Sequence, residues 1–174
     1  MAKKLLYLCG ALQAAAAAIY LMMLNTNGPV TLLGYLTLAA GACSFVAGLW
    51  KSPAGRSWPL LLNGLSLATL GLLYSFFVRR YPVSLAAIAL LVVLMTVSMG
   101  ALAFVVSRTT RQWIFRLAAA AAFGFAIPFL SLAFRWITLQ PGSRLDLIWL
   151  AAYFGFAAIC LPALAGRVMR PRPA

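Results

Sequence analysis

Six long apolar runs, separated by short polar breaks, dominate the pattern of this chain. Each run is 20 to 24 residues long, and a helix of about 20 residues already spans the roughly 30 Å of a bilayer's hydrocarbon core. The breaks between them are so short that consecutive helices must run antiparallel. The pattern therefore predicts an all-α integral membrane protein with six transmembrane helices. The runs cover residues 5–24, 30–50, 58–78, 83–106, 113–134 and 147–166.

Composition strengthens this prediction. Hydrophobic residues make up 65% of the 174 residues and charged residues 9%, against about 25% charged in soluble domains. The net charge of +13 combines 14 Lys and Arg with one acid, Asp146. Because the charges lie between apolar runs, anionic lipid head groups are the expected partner, and nucleic acid is not. Residues 1–174 are predicted to form one membrane domain that ends in a basic, disordered tail over 167–174.

The basic residues also predict an orientation. Ten lie on the side of the termini and four on the other side, and the richer side faces the cytoplasm. Both termini are therefore expected to be cytoplasmic (N-in/C-in). Lys3 and Lys4 before the first run could also belong to a cleaved signal peptide, but we interpret that run as a retained helix.

An internal repeat links the three outer turns. Pro-x-Ser/Thr recurs at intervals of 53 and 59 residues, which is about the length of one helical hairpin. We interpret it as three copies of a two-helix unit, at about 5–50, 58–106 and 113–166, related by an axis along the membrane normal. The turn residues are Pro29 with Thr31, Pro82 with Ser84, and Pro141 with Ser143. The supporting matches are Arg56-Ser57-Trp58 with Arg111-Gln112-Trp113, and Gly10 and Tyr20 with Gly64 and Tyr74.

These hairpins, with their Gly-bearing odd helices and Pro-x-Ser/Thr outer turns, resemble the HdeD family of bacterial membrane proteins. The resemblance spans nearly the whole chain, although the third unit has Ala119 where the others have Gly10 and Gly64. It implies a bacterial inner-membrane location and a role in acid or envelope stress. It implies no reaction and no catalytic residue.

Small residues form stripes on the second and third helices. Gly34, Gly41 and Gly48 lie seven residues apart on one face of the second, and Gly64 and Gly71 repeat the spacing on the third. Small residues at this spacing let helix backbones approach closely in lipid. We predict that they pack helices together, and a pore lining or a dimer face is the alternative.

Polar side chains suggest two further sites. Gln13 and Asn63 are amides deep in apolar runs, where they predict an interhelical hydrogen bond or, alternatively, a small polar binding site. On the outer side, four arginines surround Asp146, and we expect this cluster to anchor the helix ends at the interface, with an anionic ligand as the alternative. The arginines of this outer charge cluster are Arg79, Arg80, Arg135 and Arg144.

The chain has few residues that could do chemistry. It contains no His and no Glu, and its three cysteines are isolated in separate runs, so we predict no metal, no cofactor and no enzyme activity. Three hypotheses follow. The first is an HdeD-like protein that acts through lipid, a membrane protein partner or its own copies. The second is a channel or passive transporter with a path between the hairpins. The third is an enzyme or an accessory subunit of one.

Overall fold

The computed structural model describes residues 1–25, 30–50, 57–76, 84–137 and 144–168, and helices are the regular secondary structure within them. All six helices are long and apolar enough to cross a membrane, so the predicted multi-pass helical membrane fold is confirmed at this level. The helices are α1 (Ala2–Met22), α2 (Val30–Leu49), α3 (Trp58–Phe76), α4 (Ser84–Thr110), α5 (Trp113–Ile137) and α6 (Arg144–Val168).

Several helices extend beyond the apolar runs that predicted them. The fourth run ended at residue 106, yet α4 continues to Thr110, and α6 begins at Arg144 rather than at residue 147. Hydropathy detects the part of a helix in hydrocarbon, whereas backbone hydrogen bonds continue into the polar interface. Because α6 also continues to Val168, the predicted tail over 167–174 begins too early. Residues 169–174 lie outside the described ranges.

The connection between α4 and α5 is the shortest that the structure describes. Two residues, Arg111 and Gln112, separate the helices. Arg111 has a φ of 53°, the left-handed conformation that commonly ends a helix. This turn allows α5 to fold back against α4.

The helices follow one another around the bundle in chain order. α2 packs between α1 and α3, and α4 packs between α3 and α5, while α6 returns to α1. α6 contacts α4 and α5 only sparsely. The ring is therefore continuous from α6 through α1 to α5 and loosely closed between α5 and α6.

The closest pairs are not the two helices of each predicted repeat. They are α2 with α3, α4 with α5, and α6 with α1, so each even helix packs best on the next odd helix around the ring. The α5/α6 pair is separated by aromatic rings. Phe125 of α5 lies 6.1 Å from Trp149, 5.9 Å from Tyr153 and 5.5 Å from Phe156, centroid to centroid.

Bulky side chains fill the interior of the bundle. Tyr20, Tyr153, Phe129 and Phe154 are fully buried, together with leucines from α1, α2 and α3. The outer surface is also apolar, and side chains such as Ile127 are largely exposed there. In lipid, burial of apolar surface gives little drive for helix association, so close packing and hydrogen bonds must specify these contacts.

Candidate functional site

The α2/α3 contact brings the two glycine stripes face to face. A Cβ atom on Gly41 would collide with the backbone of Ala68, and one on Gly64 would collide with the backbone of Phe45. Each of these Cβ positions also lies 2.8 Å from the carbonyl oxygen of the opposite glycine. Such reciprocal crowding leaves no space for a side chain, so the two backbones touch directly at this level.

The same arrangement recurs toward both ends of the contact. A Cβ on Gly71 would lie 2.7 Å from the Gly34 carbonyl oxygen, and one on Gly48 would lie 2.9 Å from the backbone nitrogen of Leu61. All five glycines of the predicted packing set are buried. The structure thus places them inside one contact within the chain, where they face a neighbouring helix rather than a pore or a second copy.

The other two close pairs each contain a glycine as well. On α1, a Cβ on Gly10 would lie 2.9 Å from the Ala158 carbonyl oxygen and 2.7 Å from the ring of Pro162 on α6. On α4, a Cβ on Gly100 would lie 2.8 Å from the ring of Phe123 on α5. The repeat matched Gly10 with Gly64 but did not predict its contact with α6, and Gly100 was missed because a lone glycine has no periodic pattern to reveal it.

Asn63 belongs to a buried hydrogen-bond chain between α2 and α3. Its Nδ2 donates to Ser44 Oγ at 3.2 Å, and that hydroxyl donates to the Leu60 carbonyl oxygen at 3.1 Å. Both polar side chains are essentially inaccessible to solvent. The amide therefore makes an interhelical hydrogen bond, one of the two roles that its position in the sequence suggested.

Gln13 takes part in a separate chain between α1 and α2. Its Nε2 lies 3.7 Å from Cys9 Sγ on the same helix, and the Cys9 thiol donates to the Ala40 carbonyl oxygen of α2 at 3.2 Å. Ala40 and Ser44 are one turn apart on α2. The two amides thus flank the same turn of α2, Gln13 from α1 and Asn63 from α3.

Among the residues that the structure describes, three buried side-chain polar atoms have no hydrogen-bond partner. They are Gln13 Oε1, Asn63 Oδ1 and the Tyr153 hydroxyl. Each buried polar group left without a partner costs about 1–3 kcal/mol, which is large against a typical stability of about 5–15 kcal/mol. Tyr153 was not among the residues that the sequence singled out, because a tyrosine in an apolar run is as typical of the membrane interface as of the core.

Tyr20 and Tyr74, which the repeat places at equivalent positions, meet in the structure. The Tyr20 hydroxyl donates to the Tyr74 hydroxyl at 2.8 Å, and the rings make an edge contact at 6.3 Å. Tyr20 also packs against Phe154 of α6 at 5.3 Å. This cluster ties α1, α3 and α6 together at the ends of α1 and α3 that lie opposite the N-terminus.

The outer charge cluster is described only in part. Arg135 Nη1 and Asp146 Oδ1 form an ion pair at 3.5 Å that joins the end of α5 to the first turn of α6. The last apolar run begins at residue 147 and so predicted that Asp146 precedes the helix, whereas Asp146 lies inside α6 and is buried. Arg144 is exposed, and Arg79 and Arg80 lie outside the described residues.

Most residues of the predicted outer turns are also outside the described ranges. These residues are Pro29, Pro82, Pro141 and Ser143. Thr31 is the second residue of α2 and is exposed, and Ser84 is the first residue of α4. Both residues therefore lie within the first turn of a helix, and not at the cap position that precedes it.

The described residues offer little for metal or covalent chemistry. No group of three His, Cys, Asp or Glu side chains occurs in the part of the chain that the structure describes, and the three cysteines are free. The amides, hydroxyls and thiol of these sites can form hydrogen bonds.

Comparisons with protein-family models, with curated proteins and with solved structures each returned no match. The resemblance to HdeD proteins therefore rests on the sequence motifs alone.

Proposed function

We propose that this chain is a non-enzymatic, HdeD-like protein of the bacterial inner membrane. It acts through lipid or protein partners, or through its own copies, in acid or envelope stress. The observation that carries the proposal is the set of bulky side chains buried in the interior of the bundle. Backbone contact closes the α2/α3 seam, and four buried aromatic side chains, Tyr20, Tyr153, Phe129 and Phe154, occupy the space inside the ring.

The charges of the chain support the same proposal. Ion-coupled carriers normally hold a carboxylate or histidine inside the membrane. This sequence has no His and no Glu, and its one acid is paired with Arg135 at the end of a helix. The chain therefore lacks a carboxylate or imidazole that could bind and release a coupling proton in the middle of the membrane. A role that depends on partners explains this better than ion-coupled transport does.

We also infer that the three two-helix units are related by rotation about an axis along the membrane normal. Two observations support this inference. The closest pairs follow a cyclic order, each even helix with the next odd helix. In addition, Gly10 and Gly64, which match in the repeat, each face the even helix of such a pair.

The orientation can be tested by cysteine labelling in a variant whose three native cysteines are replaced by alanine. An impermeant maleimide added to intact cells should label Asn27→Cys and Ser143→Cys, because both positions are expected on the outer side. Ser57→Cys should react only after the membrane is opened. Labelling of Ser57→Cys in intact cells would reverse the orientation.

Liposome flux tests the function itself. Vesicles that contain the purified protein should leak potassium ions, protons and small neutral solutes no faster than protein-free vesicles, because the described interior is filled with side chains. A channel-forming peptide added at the end serves as the positive control. Selective flux above background would replace the proposal with the channel or passive transporter, which the unpartnered Gln13 and Asn63 oxygens favour as second candidate.

A further inference from the structure

We propose that the polar groups around the Ala40–Ser44 turn of α2 form a binding site for internal water between α1, α2 and α3. Its ligands are Gln13 Oε1 and Asn63 Oδ1, two buried oxygens that have no hydrogen-bond partner among the described residues. The site lies in the membrane-embedded core and goes beyond the partner-mediated function proposed above.

The chemistry of the unpartnered atoms identifies the class of ligand. Each amide donates one N–H, Gln13 toward Cys9 and Asn63 toward Ser44. The carbonyl oxygen of each has no partner among the described residues, and such an oxygen can only accept a hydrogen bond or bind a cation. The missing partner must therefore present hydrogen or positive charge to these oxygens.

These groups lie between three helices. The Cys9 thiol, which Gln13 contacts, donates to the Ala40 carbonyl oxygen of α2. From α3, Asn63 donates to Ser44, one turn further along α2. Gln13 and Asn63 are each 1% exposed, so bulk solvent does not supply the missing partner.

Water fits this site better than the other candidates. A buried cation normally needs negative charge among its ligands, and the amide, hydroxyl and thiol groups named here are neutral. A larger solute needs a cavity, but the neighbouring α2/α3 seam is closed by backbone contact at Gly41 and Gly64. Buried water, by contrast, occurs about once per 27 residues and typically bonds polar groups that lack a protein partner.

The Cys9 thiol provides a native reporter for this water. Gln13 holds its NH2 against Cys9 Sγ, so a water on the oxygen of the same amide lies next to the S–H group. An S–H group becomes S–D when D2O reaches it, and its infrared stretching band lies apart from those of other protein groups. Replacement of Cys43 and Cys160 by alanine leaves Cys9 as the source of that band.

The experiment transfers this single-cysteine protein from H2O to D2O and follows the S–H band and the backbone amide band together. If water exchanges into the site, Cys9 should convert at least about tenfold faster than the protected backbone amides. Conversion at the same rate as those amides would mean that D2O enters only when the bundle opens, and would overturn the proposal.

Two variants and one control locate the water. Gln13→Met and Asn63→Leu remove one oxygen each, and either should slow conversion of Cys9 by about tenfold, since the site then holds water less often. Ser66→Ala is the control, because that hydroxyl bonds to Leu62 within its own helix and its loss should leave the rate unchanged. If both variants fold and exchange at the parent rate, the water is elsewhere and the assignment is wrong.

A salt comparison separates water from a cation. Thermal unfolding in sodium, potassium and choline chloride at equal ionic strength should give the same midpoint, because no ion occupies the site. A midpoint that is higher in sodium or potassium, and loses this increase in Asn63→Leu, would assign the site to a metal cation instead.

Discussion

Replacing Gly41 with leucine should lower the free energy of unfolding in detergent by at least about 3 kcal/mol, and Gly41→Ala alone by about 2 kcal/mol. The reason is that the new Cβ would collide with the backbone of Ala68. A flexible side chain could move aside, but a helix backbone can yield only if α2 and α3 separate along much of their contact. Gly64→Leu should lower the free energy of unfolding by a similar amount, because its Cβ would meet the backbone of Phe45. Thermal or denaturant unfolding in one detergent measures the change.

The chain offers matched controls in Gly124 of α5 and Gly155 of α6. A Cβ added at either position meets no atom within 4 Å. Alanine there should leave stability unchanged or raise it by up to about 1 kcal/mol, because alanine favours helix more than glycine does. If Gly41→Ala and Gly124→Ala have equal effects, close backbone contact between α2 and α3 is not what stabilises the bundle.

The second large effect is expected at the loosely packed α5/α6 pair. Phe125→Ala should lower the free energy of unfolding by about 2 kcal/mol, because that partly buried ring contacts Trp149, Tyr153 and Phe156 of α6. These helices have few backbone contacts, so the aromatic side chains carry most of their association. In this variant α5 should also separate from α6. Cysteines placed on the two helices would then form less of the crosslinked product.

Ile127→Ala controls for the loss of an apolar side chain from the same helix. Ile127 is 74% exposed, so it faces lipid rather than α6, and its truncation should change stability by less than about 1 kcal/mol. Equal losses in Phe125→Ala and Ile127→Ala would mean that the effect comes from the hydrophobicity of α5 and not from the aromatic contact.

Hydropathy located the six helices well because a membrane span must satisfy its own backbone hydrogen bonds, and a helix of about 20 apolar residues does so. It located their ends less well. α4 continues to Thr110 and α6 starts at Arg144, since polar residues at the interface extend a helix without adding to the apolar signal. That earlier start places Asp146 in the first turn of α6, where its carboxylate pairs with Arg135 of α5.

The glycine stripes and the two amides were visible in the sequence because of their spacing and their contrast with apolar neighbours. Their partners were not visible. An interhelical hydrogen bond was expected for both Gln13 and Asn63. Asn63 makes one, to Ser44 of α2, whereas Gln13 bonds Cys9 on its own helix. Hydrogen bonds depend on the rotation and height of helices relative to one another, and a sequence in which every helix face is apolar does not encode these directly.

Local sequence thus determined the number of helices, their antiparallel succession and the residues able to let backbones touch. Only the tertiary structure decided which helices lie closest, because the close pairs α2/α3, α4/α5 and α6/α1 join helices from different predicted repeats. It also decided that Tyr153 shares the interior with the amides. The physical reason is that lipid solvates every apolar face almost equally, so neighbours in the bundle are chosen by shape and by hydrogen bonds, which exist only once the helices have packed.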